Sequence, residues 1–209
     1  MTRFSPNFQE ELSELMRWRR DVRRFRTDPV AENVLEACFE AFTSAPSVGL
    51  SEPWRVIRVE SDAARKAALE NYQAANADAL AGYDGEKAAL YSQLKLSGMQ
   101  EAPVQLAIFC AEDTPKGAGL GAQTMPEMRR YSVVSAITQF WLLARAHGVG
   151  VGWVSILDPV RLTQDLNVPE DWLLVGYLCV GWPEEDHETP ELERAGWDSR
   201  AVSLQVEDR

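Results

Sequence analysis

Apolar residues in the first half of the chain recur at the spacing of helices. Phe8, Leu12 and Leu15 would share one face of a first helix that begins at Ser5 and runs toward Trp18. The pair Asp28-Pro29 is a strong start signal for a second helix, which Pro46 ends; its apolar positions are Val30, Val34, Cys38 and Phe42. Alanine-rich stretches predict two further helices, after residue 61 and over about 84–100, with a break near 82–85.

Four stretches have the pattern of strands, namely residues 54–60, 104–111, 149–157 and 172–181. Between them, residues 126–147 predict a long central helix with a broad apolar face, and Asp158-Pro159 predicts the start of a short one. The glycine-rich stretch 114–123 has no period and predicts a mobile loop. The tail from Pro183 onward has no convincing period either, which would suit a segment that wraps a partner.

Helices outnumber strands in this pattern, and they do not alternate strictly with them. An α+β domain with a small mixed central sheet surrounded by helices therefore fits better than a Rossmann fold. With 209 residues, the chain has the length of one domain, and we expect a single domain over 1–209.

Composition narrows the range of partners. The net charge of -11 argues against nucleic acid, whose binding needs a basic surface. No apolar run reaches the roughly 20 residues of a membrane span, and residues 1–9 lack the pattern of a secretory signal, so we expect a cytoplasmic protein without membrane contact. The three cysteines, at 38, 110 and 179, lie far apart in apolar contexts and are expected as buried core thiols. With only two histidines and no paired cysteines, we expect no metal site.

One element stands out against this acidic background. Six arginines and a single acid, Asp21, lie between Arg17 and Arg26. Arginines at a helix end can satisfy its carbonyl groups, each contributing on the order of 0.3 to 1 kcal/mol. Six mutually repelling charges exceed that need, and guanidinium groups match phosphate with two parallel hydrogen bonds. We therefore expect Arg19, Arg20 and Arg23 to bind an anion.

Asp21 has two interpretations. It can be a salt-bridge partner that spaces the arginines. If its side chain instead projects toward a bound ligand, the neighbouring positive charge should favour its ionised form and suit it to accept or relay a proton.

Two further segments are candidates with weaker signals. The turn around Ser47 offers backbone amides and a hydroxyl that could hold the edge of a cofactor. In residues 149–155, small and large residues alternate, so that a flat ligand could lie close to Gly150 and Gly152, with Ser155 at the end of the strand; ordinary close packing explains the glycines equally well. Motifs of dinucleotide, phosphate-loop, serine-hydrolase and zinc-protease sites are absent from the sequence.

Taken together, these segments resemble a known family. They are "RRDVRRF" at 19–25, "APSVGLSEPW" at 45–54, "LKLSG" at 94–98, "VGVGWVSIL" at 149–157 and "PELERAGW" at 190–197. In this order and spacing the sequence is similar to the 5,6-dimethylbenzimidazole synthases, the flavin destructases of the nitroreductase superfamily. The resemblance implies an α+β homodimer with two flavin sites at the interface, each built from both subunits, and a C-terminal tail that embraces the partner.

The resemblance also implies an activity. Reduced FMN, supplied by a separate flavin reductase, would be a substrate that is fragmented with dioxygen. The products would be 5,6-dimethylbenzimidazole, the lower ligand of vitamin B12, and erythrose 4-phosphate, which places the reaction in cobalamin biosynthesis.

Site residues follow from the same resemblance. Asp21 and Ser155 match the residues that this family uses in the chemistry. FMN would be held by residues of four segments: Arg19, Arg20, Asp21, Val22, Arg23, Ser47, Leu96 and Ser155. Ordinary nitroreductases typically carry serine where Asp21 stands, which makes this aspartate the discriminating residue. Glu52 departs from the family, in which many members have glutamine.

Two alternatives remain open from the sequence. An NAD(P)H-dependent FMN nitroreductase or flavin reductase would return the flavin intact after each turnover. A non-catalytic protein that stores or delivers FMN would need the same arginines, since phosphate binding is common to all three functions.

Overall fold

A four-stranded sheet forms the centre of the molecule. The computed structural model describes residues 3–201 and 203–209, so the predicted domain's first two residues and position 202 of its tail lie outside the described residues. The strands are β1 (Trp54–Arg58), β2 (Val104–Ala111), β3 (Gly150–Val154) and β4 (Trp172–Gly181), in the order β1-β2-β4-β3. The α+β class is confirmed. Pairing among these strands is antiparallel rather than mixed, because the connecting helices return the chain in opposite directions along neighbouring strands.

Seven α-helices surround this sheet in the described part of the chain. They are α1 (Pro6–Trp18), α2 (Glu32–Ser44), α3 (Asp62–Ala81), α4 (Gly85–Gln93), α5 (Met128–Ala146), α6 (Pro159–Asp165) and α7 (Glu191–Arg194). None of them is both long and apolar enough to cross a membrane.

The sheet separates two apolar cores because successive residues of a strand point to opposite faces. Leu106, Ile108 and Cys110 of β2 face one core, where α2 and α5 pack. Ala107 and Phe109 face the other core, which α3 and α6 cover. All three cysteines are buried and unpaired, as the sequence predicts: Cys38, Cys110 and Cys179.

Most predicted elements are confirmed, and their ends are where the predictions fail. Helix α1 begins as predicted, with the Phe8 amide donating to the Ser5 hydroxyl at 3.2 Å. Helix α2 starts at Glu32 rather than at Asp28, because the Asp28 carboxylate accepts from Arg26 at 2.8 Å instead of capping a helix.

Two other predicted elements extend too far. The helix predicted to about residue 100 ends at Gln93, after which the backbone turns extended at Leu94 and crosses toward the sheet. Strand β3 ends at Val154 and not at 157, because residues 155–157 leave the sheet toward the cap of α6.

The loop predicted as mobile lies against another turn. Residues 116–119 pack on the 3-10 turn Val48–Leu50, and a Cβ at Gly117 would lie 2.4 Å from the carbonyl oxygen of Gly49. Glu52 forms an ion pair with Lys116 across the same contact. The residue that departs from the family pattern therefore connects these two loops.

The tail after Pro183 is held by its own chain over its first half. The Glu184 amide donates to the Arg24 carbonyl at 3.1 Å, and Lys87 donates to the Trp197 carbonyl at 2.8 Å. The Trp197 ring lies 5.5 Å from that of Tyr83. We call these contacts of Trp197 the anchor of the tail. Of the tail that the sequence predicts to wrap a partner, only residues 198–209 follow this anchor.

Candidate functional site

The arginine-rich segment runs beside strand β3. Asp21 forms a parallel bridge with Val151, and the Val22 amide donates to the Val151 carbonyl at 3.0 Å. This contact explains the glycines of β3: a Cβ at Gly152 would lie 2.0 Å from the Val22 carbonyl oxygen, and one at Gly150 would lie 2.9 Å from the Val22 side chain. The interpretation that a flat ligand lies over these glycines is therefore wrong, since Val22 fills that space.

Both oxygens of the Asp21 carboxylate are engaged. Oδ1 accepts from the Trp153 amide at 2.8 Å, and Oδ2 accepts from Nε of Arg23 at 3.0 Å. Ser155 follows Trp153 by two residues, which is about 7 Å along the chain. Asp21 is thus bonded to the strand that leads into Ser155, whose side chain is exposed.

Burial raises the pKa of Asp21, while Arg23, the Trp153 amide and Arg19 act in the opposite direction. The neighbouring positive charge favours the ionised form, as expected, but burial has the larger effect. About a third of the side-chain surface, 34%, stays accessible in the single chain. Asp21 can therefore exchange a proton with a group outside the protein.

Arg23 connects the segment to the loop after α4. Its Nη1 donates to the Lys95 carbonyl at 3.2 Å, so the neighbouring Leu96 lies beside Arg23. Gly98 closes the same loop against the Phe25 ring, where a Cβ would lie 2.3 Å from a ring carbon. Asp21 and Arg23 thus lie between strand β3 and the loop that carries Leu96.

Arg19 and Arg20 lie at the end of helix α1. The Arg19 guanidinium stacks 4.7 Å from the centre of the Trp141 ring, and the Trp141 indole donates to the Arg20 carbonyl at 3.1 Å. Arg20 donates to the Arg17 carbonyl in α1 and, through Nε, to the Glu188 carbonyl at 2.7 Å. Arg20 thus satisfies a carbonyl group at the end of α1, as the helix-capping interpretation of the arginine cluster predicts.

Positive charge remains concentrated here. Burial lowers the pKa of Arg20, and Arg200, Arg19 and Arg145 lower it further. Arg145 is paired with Asp186 at 2.7 Å, whereas Arg19, Arg20 and Arg200 have no carboxylate within ion-pair distance among residues 3–201 and 203–209. Sequence reasoning missed Arg200, because a single arginine in a tail without periodicity carries no signal of its own.

Ser47 lies away from this cluster. Its hydroxyl accepts from the Glu52 amide at 3.1 Å, and the next residue, Val48, donates its amide to Ser132 at 3.0 Å. Along α5, Ser132 precedes Trp141 by nine residues, or about 14 Å of helix. One chain therefore does not bring Ser47 together with Asp21 and Ser155.

The sequence of the chain also matches a family model. Residues 16–182 match the nitroreductase family. The chain belongs to this family.

Curated nitroreductase relatives agree with the resemblance found in the motifs. The chain is 52% identical to a 5,6-dimethylbenzimidazole synthase of Rhodospirillum rubrum, an alignment that covers 94% of this chain and 93% of that protein. It is 47% identical to the protein of the same name from Rhodobacter capsulatus, over 93% of this chain and 94% of that one.

A solved structure of a related fold agrees with the assignment of this chain to the nitroreductase family. The chain is similar to oxidized iodotyrosine deiodinase bound to FMN and 3-iodo-L-tyrosine, with a TM-score of 0.72 and 20% identity over 95% of this chain and 97% of that one. Within the part of this chain that the structure describes, no group of three or more His, Cys, Asp and Glu side chains could hold a metal ion.

Proposed function

We propose that this protein fragments reduced FMN with dioxygen to give 5,6-dimethylbenzimidazole and erythrose 4-phosphate. The observation that carries the proposal is Asp21, a partly exposed carboxylate bonded to the strand that precedes Ser155, in a chain that is 52% identical to a protein named 5,6-dimethylbenzimidazole synthase. The role in cobalamin biosynthesis follows from that product, the lower ligand of vitamin B12.

The residues fit the phosphate of FMN on grounds of charge. Arg200 lowers the pKa of both Arg19 and Arg20, and none of the three has a carboxylate within ion-pair distance in the described chain, so a dianion would reduce the repulsion among these charges. Arg23 and the backbone around Leu96 would hold the ribityl portion. When bound, reduced FMN supplies the carbon atoms of both products and the electrons that reduce dioxygen.

Asp21 is suited to hold and move protons. A carboxyl group whose pKa is raised by burial keeps its proton closer to neutral pH and can then act as an acid or, after losing it, as a base. Its carboxylate stays oriented because the Trp153 amide and Arg23 hold both oxygens. Ser155 would donate a hydrogen bond to a reacting oxygen, a role that depends on the direction of its hydroxyl.

We propose further that two copies of the chain complete each site. Ser47 is separated from Arg20 along α5, and we propose that a second chain supplies its own Ser47 to each flavin. Helix α1 presents an apolar face to solvent that a second copy would cover: Phe8 is 41% exposed, Leu12 38% and Met16 49%. A separate reductase would supply the reduced flavin.

The test begins with reduced FMN mixed with the protein without oxygen. Air is then admitted and the small molecules are separated and identified. We expect 5,6-dimethylbenzimidazole in an amount that follows the FMN consumed. Recovery of intact oxidised FMN alone would refute the proposal, and sustained NADPH oxidation with a nitroaromatic acceptor would favour a reductase instead.

Asp21→Asn separates chemistry from binding. Asparagine keeps the size of the side chain and one acceptor oxygen but cannot exchange a proton. We expect FMN binding, measured by quenching of flavin fluorescence, to persist while the product is lost. Loss of FMN binding together with the product would instead make Asp21 a structural partner of Arg23.

A further inference from the structure

Asn71 is a buried polar residue outside the site described above. It lies on α3 and is 1% exposed. Its Nδ2 donates to the Asp158 carbonyl at 2.9 Å, and its Oδ1 accepts from the Asp158 amide at 2.8 Å. One side chain therefore holds both polar backbone groups of a single residue in the loop after β3.

Asp158 is held from a second direction as well. Its Oδ1 accepts from the amides of Val160 and Arg161, both at 3.0 Å, and so caps α6. Helix α6 is in turn fixed by Leu162, which is fully buried in the core beneath the sheet. Asp158 is thus a rigid point between α3 and α6.

Ser155 lies on a short span between two such points. Strand β3 ends at Val154, which is 3% exposed, and Asp158 follows only three residues after Ser155. The Ser155 side chain makes no hydrogen bond within residues 3–201 and 203–209, so its position is set by the backbone at the two ends of the span. The sheet fixes one end, and Asn71 together with the cap of α6 fixes the other.

We propose that Asn71 is a positioning residue that orients Ser155 for the reaction, an inference that rests on the proposed function. A displacement of about 1 Å in a reacting group can lower a rate by about 100-fold. Releasing Asp158 from α3 should therefore lower the rate of product formation by about 10- to 100-fold. The dissociation constant of FMN should change by less than about 3-fold, because the arginines are untouched.

Asn71→Asp is the informative variant. When ionised, the new carboxylate still accepts from the Asp158 amide but repels the Asp158 carbonyl. When protonated, it can donate to that carbonyl and restore both bonds. The rate relative to wild type at each pH should therefore recover as the pH falls, whereas Asn71→Leu should not recover.

The control is Asn76→Asp, which adds the same charge to the same helix. Asn76 accepts from the Tyr91 hydroxyl at 2.7 Å, a bond that aspartate can keep. The other titratable groups near position 71 are Asp158 of the loop, Tyr72 of α3, and the Arg161–Asp165 pair of α6. All of these groups are present in wild type and in the control. Dividing the rate of each variant by the wild-type rate at the same pH therefore removes their contribution to the pH dependence.

A second measurement does not depend on turnover. In hydrogen–deuterium exchange near neutral pH, the backbone amide of Asp158 should exchange at least about 10-fold faster in Asn71→Leu than in wild type, with no change in Asn76→Asp. Unchanged exchange would refute the positioning role, whether or not wild type makes product. Absence of product from wild type would refute the proposed function alone.

A double-mutant cycle with Ser155→Ala completes the test. If Asn71 acts through Ser155, Asn71→Asp should lower the rate little further once the hydroxyl is gone. Fully additive losses would show that Asn71 stabilises the fold without directing Ser155. Should Asn71→Asp fail to fold, the same cycle and the exchange measurement are made with Asn71→Ser.

Discussion

Gly152→Ala tests what the close approach of the arginine-rich segment to β3 contributes to stability. The added Cβ would lie 2.0 Å from the Val22 carbonyl oxygen, whereas carbon and oxygen atoms that are not bonded approach to about 3.3 Å. Val22 must therefore retreat by about 1.3 Å. The hydrogen bond from its amide to Val151, now 3.0 Å long, would then break.

The size of the effect follows from what is lost. Overpacking costs about 1 to 3 kcal/mol, the backbone bond contributes about 1 kcal/mol, and the bond from the Trp153 amide to the ionised Asp21 contributes about 1.5 to 3 kcal/mol. We expect the free energy of unfolding to fall by about 3.5 to 7 kcal/mol, a large part of the stability of a typical domain. Affinity for FMN should fall with it, because Asp21 and Arg23 move together.

Urea denaturation of wild type, Gly152→Ala and Gly150→Ala measures this difference. The Gly150 variant is the matched control, since its Cβ would meet only the Val22 side chain, at 2.9 Å, which can rotate. We expect it to lose less stability than Gly152→Ala. Equal stability of Gly152→Ala and wild type, with unchanged FMN affinity, would refute the packing of Val22 on this strand.

Three other predictions concern single groups. Burial raises the pKa of the Cys38 thiol to about 11 and those of Cys110 and Cys179 to about 12. Ellman's reagent at pH 8 should therefore label no thiol in the folded protein and all three in guanidinium. Rapid labelling of the native state would contradict this. Gly98→Ala should lower the melting temperature and weaken FMN binding together, because its Cβ would strike the Phe25 ring at 2.3 Å; an unchanged melting curve would be the contrary result. Since burial raises the pKa of Asp21, protonation of this group favours the folded state. Wild type should therefore lose stability relative to Asp21→Asn as the pH rises from about 3.9, the ordinary aspartate pKa, through the raised pKa of the folded protein. Melting temperatures of both proteins across that range measure the difference, and parallel curves would argue against the shift.

Elements with strong local signals could be predicted from the sequence. Serine followed by proline marks the start of α1, and the apolar run of β2 gives its exact bounds. The start of α2 and the end of β3 could not be predicted, because each depends on side-chain bonds that periodicity does not indicate. Arg26 takes the carboxylate that would cap α2, and Asn71 of α3 holds Asp158, which follows the end of β3 by four residues.

The candidate site was predicted in part for the same reason. Local charge identified Arg19, Arg20 and Arg23 as an unusual cluster, and the resemblance singled out Asp21 and Ser155. Periodicity could not indicate that Val22 fills the space over Gly152, that Arg200 comes near the cluster from the tail, or that Ser47 lies far from it. These relations exist only once the chain has folded.

The anchor at Trp197 limits what the end of the chain can do. Twelve residues, 198–209, follow it, and fully extended they reach about 40 Å. Among them Leu204 is 88% exposed and Val206 79%, so this end carries apolar side chains that another surface could bury. Since Glu184 and Trp197 are held by their own chain, we expect two copies of the proposed dimer to separate without either one unfolding, so that mixtures of differently tagged copies equilibrate.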